Sequence, residues 1–205
     1  MSGRHPAPES AQPQSFAFTD ENMAQARTII ARYPELRQAS AVMPLLDLAQ
    51  RQSGGWLPRA AMDYVADLLD MPAIRVYEVA TFYTMYNLAP VGEHHVQLCT
   101  TTPCWLRGSD GIVAACKQHL GIDFGETTAD GKFTLNQVEC LGACVNAPMM
   151  LVNDDYYEDL TPENVLKVLE ALARGERPKT GSQSGRHTSE PAGGRTTLAE
   201  VGGDD

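Results

Sequence analysis

The sequence predicts an α/β chain: a small helical bundle, then an α/β layer, with an extended arm at each end. Three observations lead there. Apolar residues recur at helical spacing between residues 18 and 90, alternating β-branched stretches begin at residue 94, and both ends are rich in Pro, Gln, Gly, Ser or Thr. With 205 residues, 43% of them hydrophobic, the chain can bury a substantial core. The expected divisions are a flexible arm over 1–17, the bundle over 18–90, the α/β domain over 91–174 and an extended tail over 175–205.

Residues 1–17 offer no apolar period to bury and read as a mobile arm. Thr19 or Asp20 can cap a first helix, whose Ala26, Ile29, Ile30 and Tyr33 share one side before Pro34 stops it. A second helix over about 41–52 carries Val42, Leu45, Leu46 and Ala49 and ends at Gly54 and Gly55. Pro58 suits the first turn of a third, with Met62, Val65, Leu68 and Leu69 as its stripe. Pro72 does the same for a fourth, with Ile74, Val79, Phe82 and Tyr83 as the inward face. Four short helices with brief connections make a bundle.

Residues 94–100 alternate as a strand does, and residues 106–120 fit a helix with Ile112, Val113, Cys116 and Leu120 inward. Asp130 and Gly131 form a turn before a strand over 132–139. A strand over 149–152, the turn Asn153-Asp154-Asp155 and residues 156–160 read as a hairpin. Thr161, Pro162 and Glu163 open a last helix with Val165, Leu166, Val168, Leu169 and Leu172. The order β, α, β, β, α resembles a thioredoxin-like layer. Of the 31 residues from 175 to 205, seven are Gly, two Pro and seven Ser or Thr. Apolar burial cannot offset the ordering entropy of such a tail, which is expected to order only on a partner.

Sixteen Lys and Arg against twenty-six Asp and Glu give a net charge of −10 with no basic run. Nucleic acid and anionic membrane surfaces are therefore poor partners. The longest apolar run, residues 147–152, falls far short of the roughly 18–20 residues that span a bilayer, so no direct membrane insertion is expected. The first fifteen residues lack a signal-peptide core and a transit-peptide pattern, which predicts no export and reduced thiols. No dinucleotide fingerprint, phosphate loop or nucleophile elbow is present, so no residue is singled out as catalytic.

The chemistry lies in the cysteines. Cys99 and Cys104 form a C-x4-C pair, Cys140 and Cys144 a C-x3-C pair, and each pair sits where a strand runs out into a loop. Neighbouring strand ends can bring four thiolates to one point, which suits a tetrahedral zinc or an iron–sulfur cluster. Zinc would make the chain a stapled interaction module. Gly142, Ala143 and the three threonines between the ligands let N–H and O–H groups approach sulfur, which favours a cluster. No Lys or Arg lies between them, so a cluster there would be hard to reduce. Dithiol redox chemistry prefers C-x-x-C, a spacing neither pair has. Cys116 reads as a small buried hydrophobe. His94 and His95 read as solvated, and Tyr77, Phe82, Tyr83 and Tyr86 as bundle core or partner surface.

With EVATFY at 78–83 and GGWLP at 54–58 flanking them, the two cysteine pairs resemble the thioredoxin-like [2Fe–2S] ferredoxin subunit of respiratory complex I, NADH:quinone oxidoreductase, over residues 18–175. GRHTSEPAGG at 185–194 is similar to the extended C-terminal segment of complex I members. The equivalent subunits of NAD-dependent formate dehydrogenases and hydrogenases, the alternative within the class, are generally shorter. The resemblance implies that Cys99, Cys104, Cys140 and Cys144 ligate one [2Fe–2S] cluster. It further implies that the chain sits against the FMN- and NADH-binding subunit, among other peripheral-arm subunits, on the cytoplasmic side of the bacterial inner membrane. FMN and NADH would be held only by that partner, and single electrons would pass between flavin and cluster. The chain would be part of an oxidoreductase with no substrate pocket of its own.

Overall fold

Thr19 accepts a hydrogen bond from the Asn22 N–H (3.2 Å) and so starts helix α1 (Asp20–Ile30). In this computed structural model, which describes residues 5–191, 193, 194, 196 and 197, three further helices follow. They are α2 (Val42–Gln52), α3 (Arg59–Leu68) and α4 (Ala73–Phe82). Pro58 and Pro72 hold extended backbone one residue ahead of α3 and α4. The described chain divides between Val91 and Gly92 into two compact units. Leu45, Leu46, Ala49, Ala61, Val65, Val76, Ala80 and Tyr86 are fully buried in the first.

Two expectations for this unit are corrected. The inward face of α4 is Val76 and Ala80, not Ile74, Phe82 and Tyr83; Phe82 is 77% exposed and Ile74 60%. α4 is apolar on both sides, so periodicity alone does not choose between them, and the smaller side chains permit closer packing on α3. Residues 5–17 are also laid against the bundle rather than free. The Ala7 N–H donates to the Leu88 carbonyl (2.9 Å), and the Gln12 side chain bonds both the Ala7 carbonyl (3.1 Å) and the Arg59 N–H (2.9 Å). Phe16, Phe18 and Tyr64 meet edge to face with centroids 5.4–5.5 Å apart. Bonds from side chain to backbone leave no periodic trace in a sequence. Residues 1–4 lie outside the described residues.

The second unit is built on a six-stranded sheet of order β2-β3-β1-β4-β5-β6. Its strands are β1 (His94–Cys99), β2 (Glu126–Thr127), β3 (Phe133–Val138), β4 (Met150–Val152), β5 (Asp155–Glu158) and β6 (Gly181–Ser182). β1 is parallel to β3 and antiparallel to β4, and β5 is parallel to β6. The short β2 and β6 were not expected. The helix read over 106–120 is α6 (Ser109–Leu120), which starts three residues late because Gly108 takes the left-handed conformation (φ 92°); the short α5 (Thr102–Leu106) ahead of it was not expected. Val96, Leu98, Phe133, Leu135, Met150 and Val152 share one face of the sheet and pack with α6 and the last helix, α7 (Pro162–Ala173). Cys116 is fully buried in that core, and burial pushes its thiol up to about 12, so it is inert.

Thr161 and Asn164 form a reciprocal cap at the start of α7: Thr161 accepts from the Asn164 N–H (3.2 Å) and donates its own to Asn164 (2.7 Å). Thr161→Ala is expected to destabilise the second unit by about 1 kcal/mol, read as a lower denaturant midpoint at unchanged slope.

His95 was expected to be solvated and is instead buried, on the central strand β1 between β3 and β4. Its Nε2 accepts from the Asn136 amide (2.6 Å), and its backbone N–H donates to Asn153 Oδ1 (2.9 Å). Burial lowers its pKa from 6.5 to about 4. The unfolded chain therefore binds a proton that the folded chain refuses, and stability should fall as pH drops from about 6.5 to about 4, by about 3 kcal/mol in all. Chemical denaturation across that range checks this, with His95→Gln expected to flatten most of the slope.

Candidate metal centre

β1 and β3 pair from His94↔Phe133 to Cys99↔Val138, so their C-terminal ends stop level. Cys99 is the last residue of β1, and Cys140 follows two residues beyond the end of β3. β4 runs the opposite way and starts beside the end of β1, where the Cys99 N–H donates to the Met149 carbonyl (3.4 Å). The loop holding Cys140 and Cys144 thus crosses the end of β1 on its way from β3 to β4. Cys104 is placed by α5, which follows Cys99 after a short turn. The four cysteines predicted from the sequence are brought to one end of the sheet by a pair of parallel strands and their two following loops.

The sulfurs meet as two pairs. Cys140 and Cys144 Sγ atoms are 3.5 Å apart, and the Cys99 and Cys104 thiols lie close enough to shift one another's pKa in opposite directions. The pairs also sense one another, since charge on Cys144 raises Cys104 and charge on Cys99 raises Cys144. Among the described residues, no three His, Cys, Asp or Glu side chains are grouped as a single ion would need. Cys99 and Cys104 are buried and Cys140 and Cys144 exposed, which gives the site an inner and an outer pair.

Burial and the neighbouring Cys99 push the Cys104 thiol up to about 12. Burial also opposes ionisation of Cys99, but bonds from the Thr101 hydroxyl and N–H, the Cys104 thiol and the Leu141 backbone outweigh it and lower its pKa. Cys144 is raised, first by its bond with Cys140 and then by burial and the charges of Cys140 and Cys99. Four thiolates at this spacing repel, and a cationic centre relieves that repulsion. The donors around them suit an anionic cluster. The Gly142 N–H points at Cys140 Sγ (3.4 Å) and the Thr101 hydroxyl at Cys99 Sγ (3.3 Å). Gly142 can do so because its φ is 86°, a conformation that side chains disfavour. Two sulfur pairs, a dry inner wall of Ala147, Met149, Leu141, Ala143 and Tyr156, and N–H groups aimed at sulfur fit an iron–sulfur cluster.

The profile of the thioredoxin-like [2Fe–2S] ferredoxin family matches residues 26–173. The chain belongs to this family. This ferredoxin is 60% identical over 158 residues to the E subunit of the NADH-quinone oxidoreductase of Rickettsia bellii, covering 77% of the chain and 95% of that protein. It is 54% identical over 185 residues to the mitochondrial NADH dehydrogenase [ubiquinone] flavoprotein 2 of Dictyostelium discoideum, covering 90% and 75%. Among solved structures, it shares a fold with an NAD+-reducing [NiFe]-hydrogenase in the air-oxidised state, with TM-score 0.55 and 18% identity over 63% of this chain and 23% of that one.

Sequence reasoning missed the residues that hold the ferredoxin's loops. The Tyr156 hydroxyl donates to the Leu141 carbonyl (2.7 Å) between the outer cysteines, and the Gln137 amide donates to Thr100 (2.6 Å) beside Cys99. Both lie on strands, where alternation explains them and no motif marks them. The residues that follow the cysteines are exposed and apolar: Trp105 and Leu106 after Cys104, and Val145 after Cys144.

Proposed function

We propose that this ferredoxin is the electron-transfer subunit of an NADH:quinone oxidoreductase, with Cys99, Cys104, Cys140 and Cys144 holding one [2Fe–2S] cluster. The observation that carries the reading is the convergence of two thiol pairs at the level ends of β1 and β3. When bound, the cluster takes up and gives back one electron at a time. The chain does the rest. Cys99 and Cys104 anchor the inner side behind apolar cover, and the Thr101 hydroxyl and the Gly142 N–H offset charge on sulfur. Cys140 and Cys144 leave the outer side open to a redox partner.

The partner in this reading is the FMN- and NADH-binding subunit, which supplies the flavin that this chain has no motif to hold. The exposed Trp105, Leu106 and Val145 form a rim that such a subunit would cover, excluding water from the electron's path. Identity with the Rickettsia bellii relative across nearly its whole length supports complex I over a hydrogenase, for which only the fold speaks. No helix among the described residues is long and apolar enough to cross a membrane, so attachment at the cytoplasmic face would run through other subunits. Family membership also sets the zinc module aside.

The test is reduction of the purified complex by NADH, followed by EPR at low temperature. A rhombic [2Fe–2S] signal lost on substitution of this subunit's cysteines is the expected result. A complex that keeps every iron–sulfur signal without this chain would contradict it.

A further inference from the structure

The tail was expected to order only on a partner, yet residues 181–190 are bound to the second unit itself. β6 pairs with β5, and the Ser182 hydroxyl donates to Asp159 Oδ2 (2.7 Å). Arg186 then closes a clamp. Its Nε and Nη2 both donate to the Asp159 carboxylate, and its Nη1 reaches the carbonyls of Glu190 (3.1 Å) and Val145 (3.4 Å). Both side chains of this ion pair are nearly buried, at 12% and 9% exposed. A backbone ladder and a forked charge pair thus order a stretch that apolar burial could not. Residues 192, 195 and 198–205 of the tail lie outside the described residues.

The clamp is fastened to the turn that carries a cysteine of the outer pair. Cys144 opens a 3-10 turn through Asn146, and Val145 and Asn146 are the next two residues. Asn146 is buried; its amide donates to Glu158 (2.7 Å) and to the Thr188 carbonyl (2.9 Å), while its own carbonyl accepts the Asp159 N–H (2.8 Å). Both amide hydrogens face acceptors, so flipping the group would set oxygen against a carboxylate. Asn146 Oδ1 is left without a partner among the described residues, which only a firmly held turn tolerates. By contrast Cys144 itself is exposed.

We propose that Arg186 is a positioning residue for the cluster: by joining Asp159 to the Val145 carbonyl, it lets the C-terminal strap fix the Cys144 turn and so govern how tightly the outer cysteine pair holds iron. The proposal rests on the four cysteines being ligands. Removing Arg186 frees the Val145 carbonyl and leaves Asp159 as a buried unpaired charge, so the turn opens and the outer pair becomes the route by which iron is lost.

The test uses the full chain, purified anaerobically with its cluster. Two readouts are taken: the rate at which an iron chelator bleaches the visible absorption, and the EPR line shape after reduction. Arg186→Ala is expected to bleach roughly tenfold faster or more, with an altered line shape. Arg186→Lys keeps the charge but not the fork and should fall between. Arg177→Ala, at an exposed position outside the strap, should match the unsubstituted chain. Where Arg186→Ala does not fold, the double replacement Asp159→Asn with Arg186→Gln decides, since it removes the ion pair without leaving a buried charge. Bleaching and line shape equal to the unsubstituted chain in the folded variant would overturn the proposal, as would an equal effect from Arg177→Ala. An unsubstituted chain that binds no iron at all is a different result, and counts against the ligand assignment instead.

Discussion

Cys104→Ser should strip the protein of its iron. Cys104 is 1% exposed, in the middle of α5, and shares the inner wall with Cys99, Ala147 and Met149. A serine there is a poor ligand for an iron that prefers thiolate. Loss of a supporting partner alone costs about 10- to 100-fold in metal affinity, and loss of a direct ligand should exceed it. The purified variant is expected to be colourless and EPR-silent after reduction, with metal analysis giving its iron content. Cys116→Ala is the matched control. Cys116 lies in the core between the sheet and α6, so that variant should keep colour and signal while losing some stability. A coloured Cys104→Ser protein, or a colourless Cys116→Ala one, would reverse the roles assigned to the two buried cysteines.

Leu135→Ala should cost the second unit about 2–5 kcal/mol. Leu135 is fully buried on β3, opposite Val96 in the parallel register, on the face that meets α6 and α7. Truncation leaves a cavity that a sheet paired on both sides cannot close by shifting one strand. Because β1 and β3 also set the level ends from which both cysteine pairs emerge, the variant should release iron sooner as it is heated. Denaturant titration followed by circular dichroism reads the first effect and bleaching of the visible absorption the second. A cost below about 1 kcal/mol would mean that the sheet is not packed as described.

How much of this was legible beforehand depended on whether the signal was local. The cysteine pairs were, because ligands must lie near strand ends and the spacings 99–104 and 140–144 state it. The helical bundle and the Thr161 cap were legible for the same reason. α4 was not, since Ile74 and Phe82 on one side and Val76 and Ala80 on the other are both apolar, and only α3 decides which is buried. His95 looked solvated because nothing local reveals that its strand is central. Gly108 set the start of α6 three residues later than the apolar period placed it. The strap was the deepest miss: a tail of Gly, Ser and Thr is ordered by one arginine whose partner lies 27 residues earlier. Composition measures what a segment can bury and is blind to a single well-placed charge.

The central claim is that four thiolates, two from each loop, hold a two-iron centre. Mössbauer spectroscopy of the full chain, grown with labelled iron and purified without oxygen, tests it most directly when paired with iron, sulfide and zinc analysis. The account predicts iron and acid-labile sulfide in equal amounts, two of each per chain, with an antiferromagnetically coupled ferric pair in the oxidised protein. Zinc in place of iron, or iron without sulfide, would contradict it.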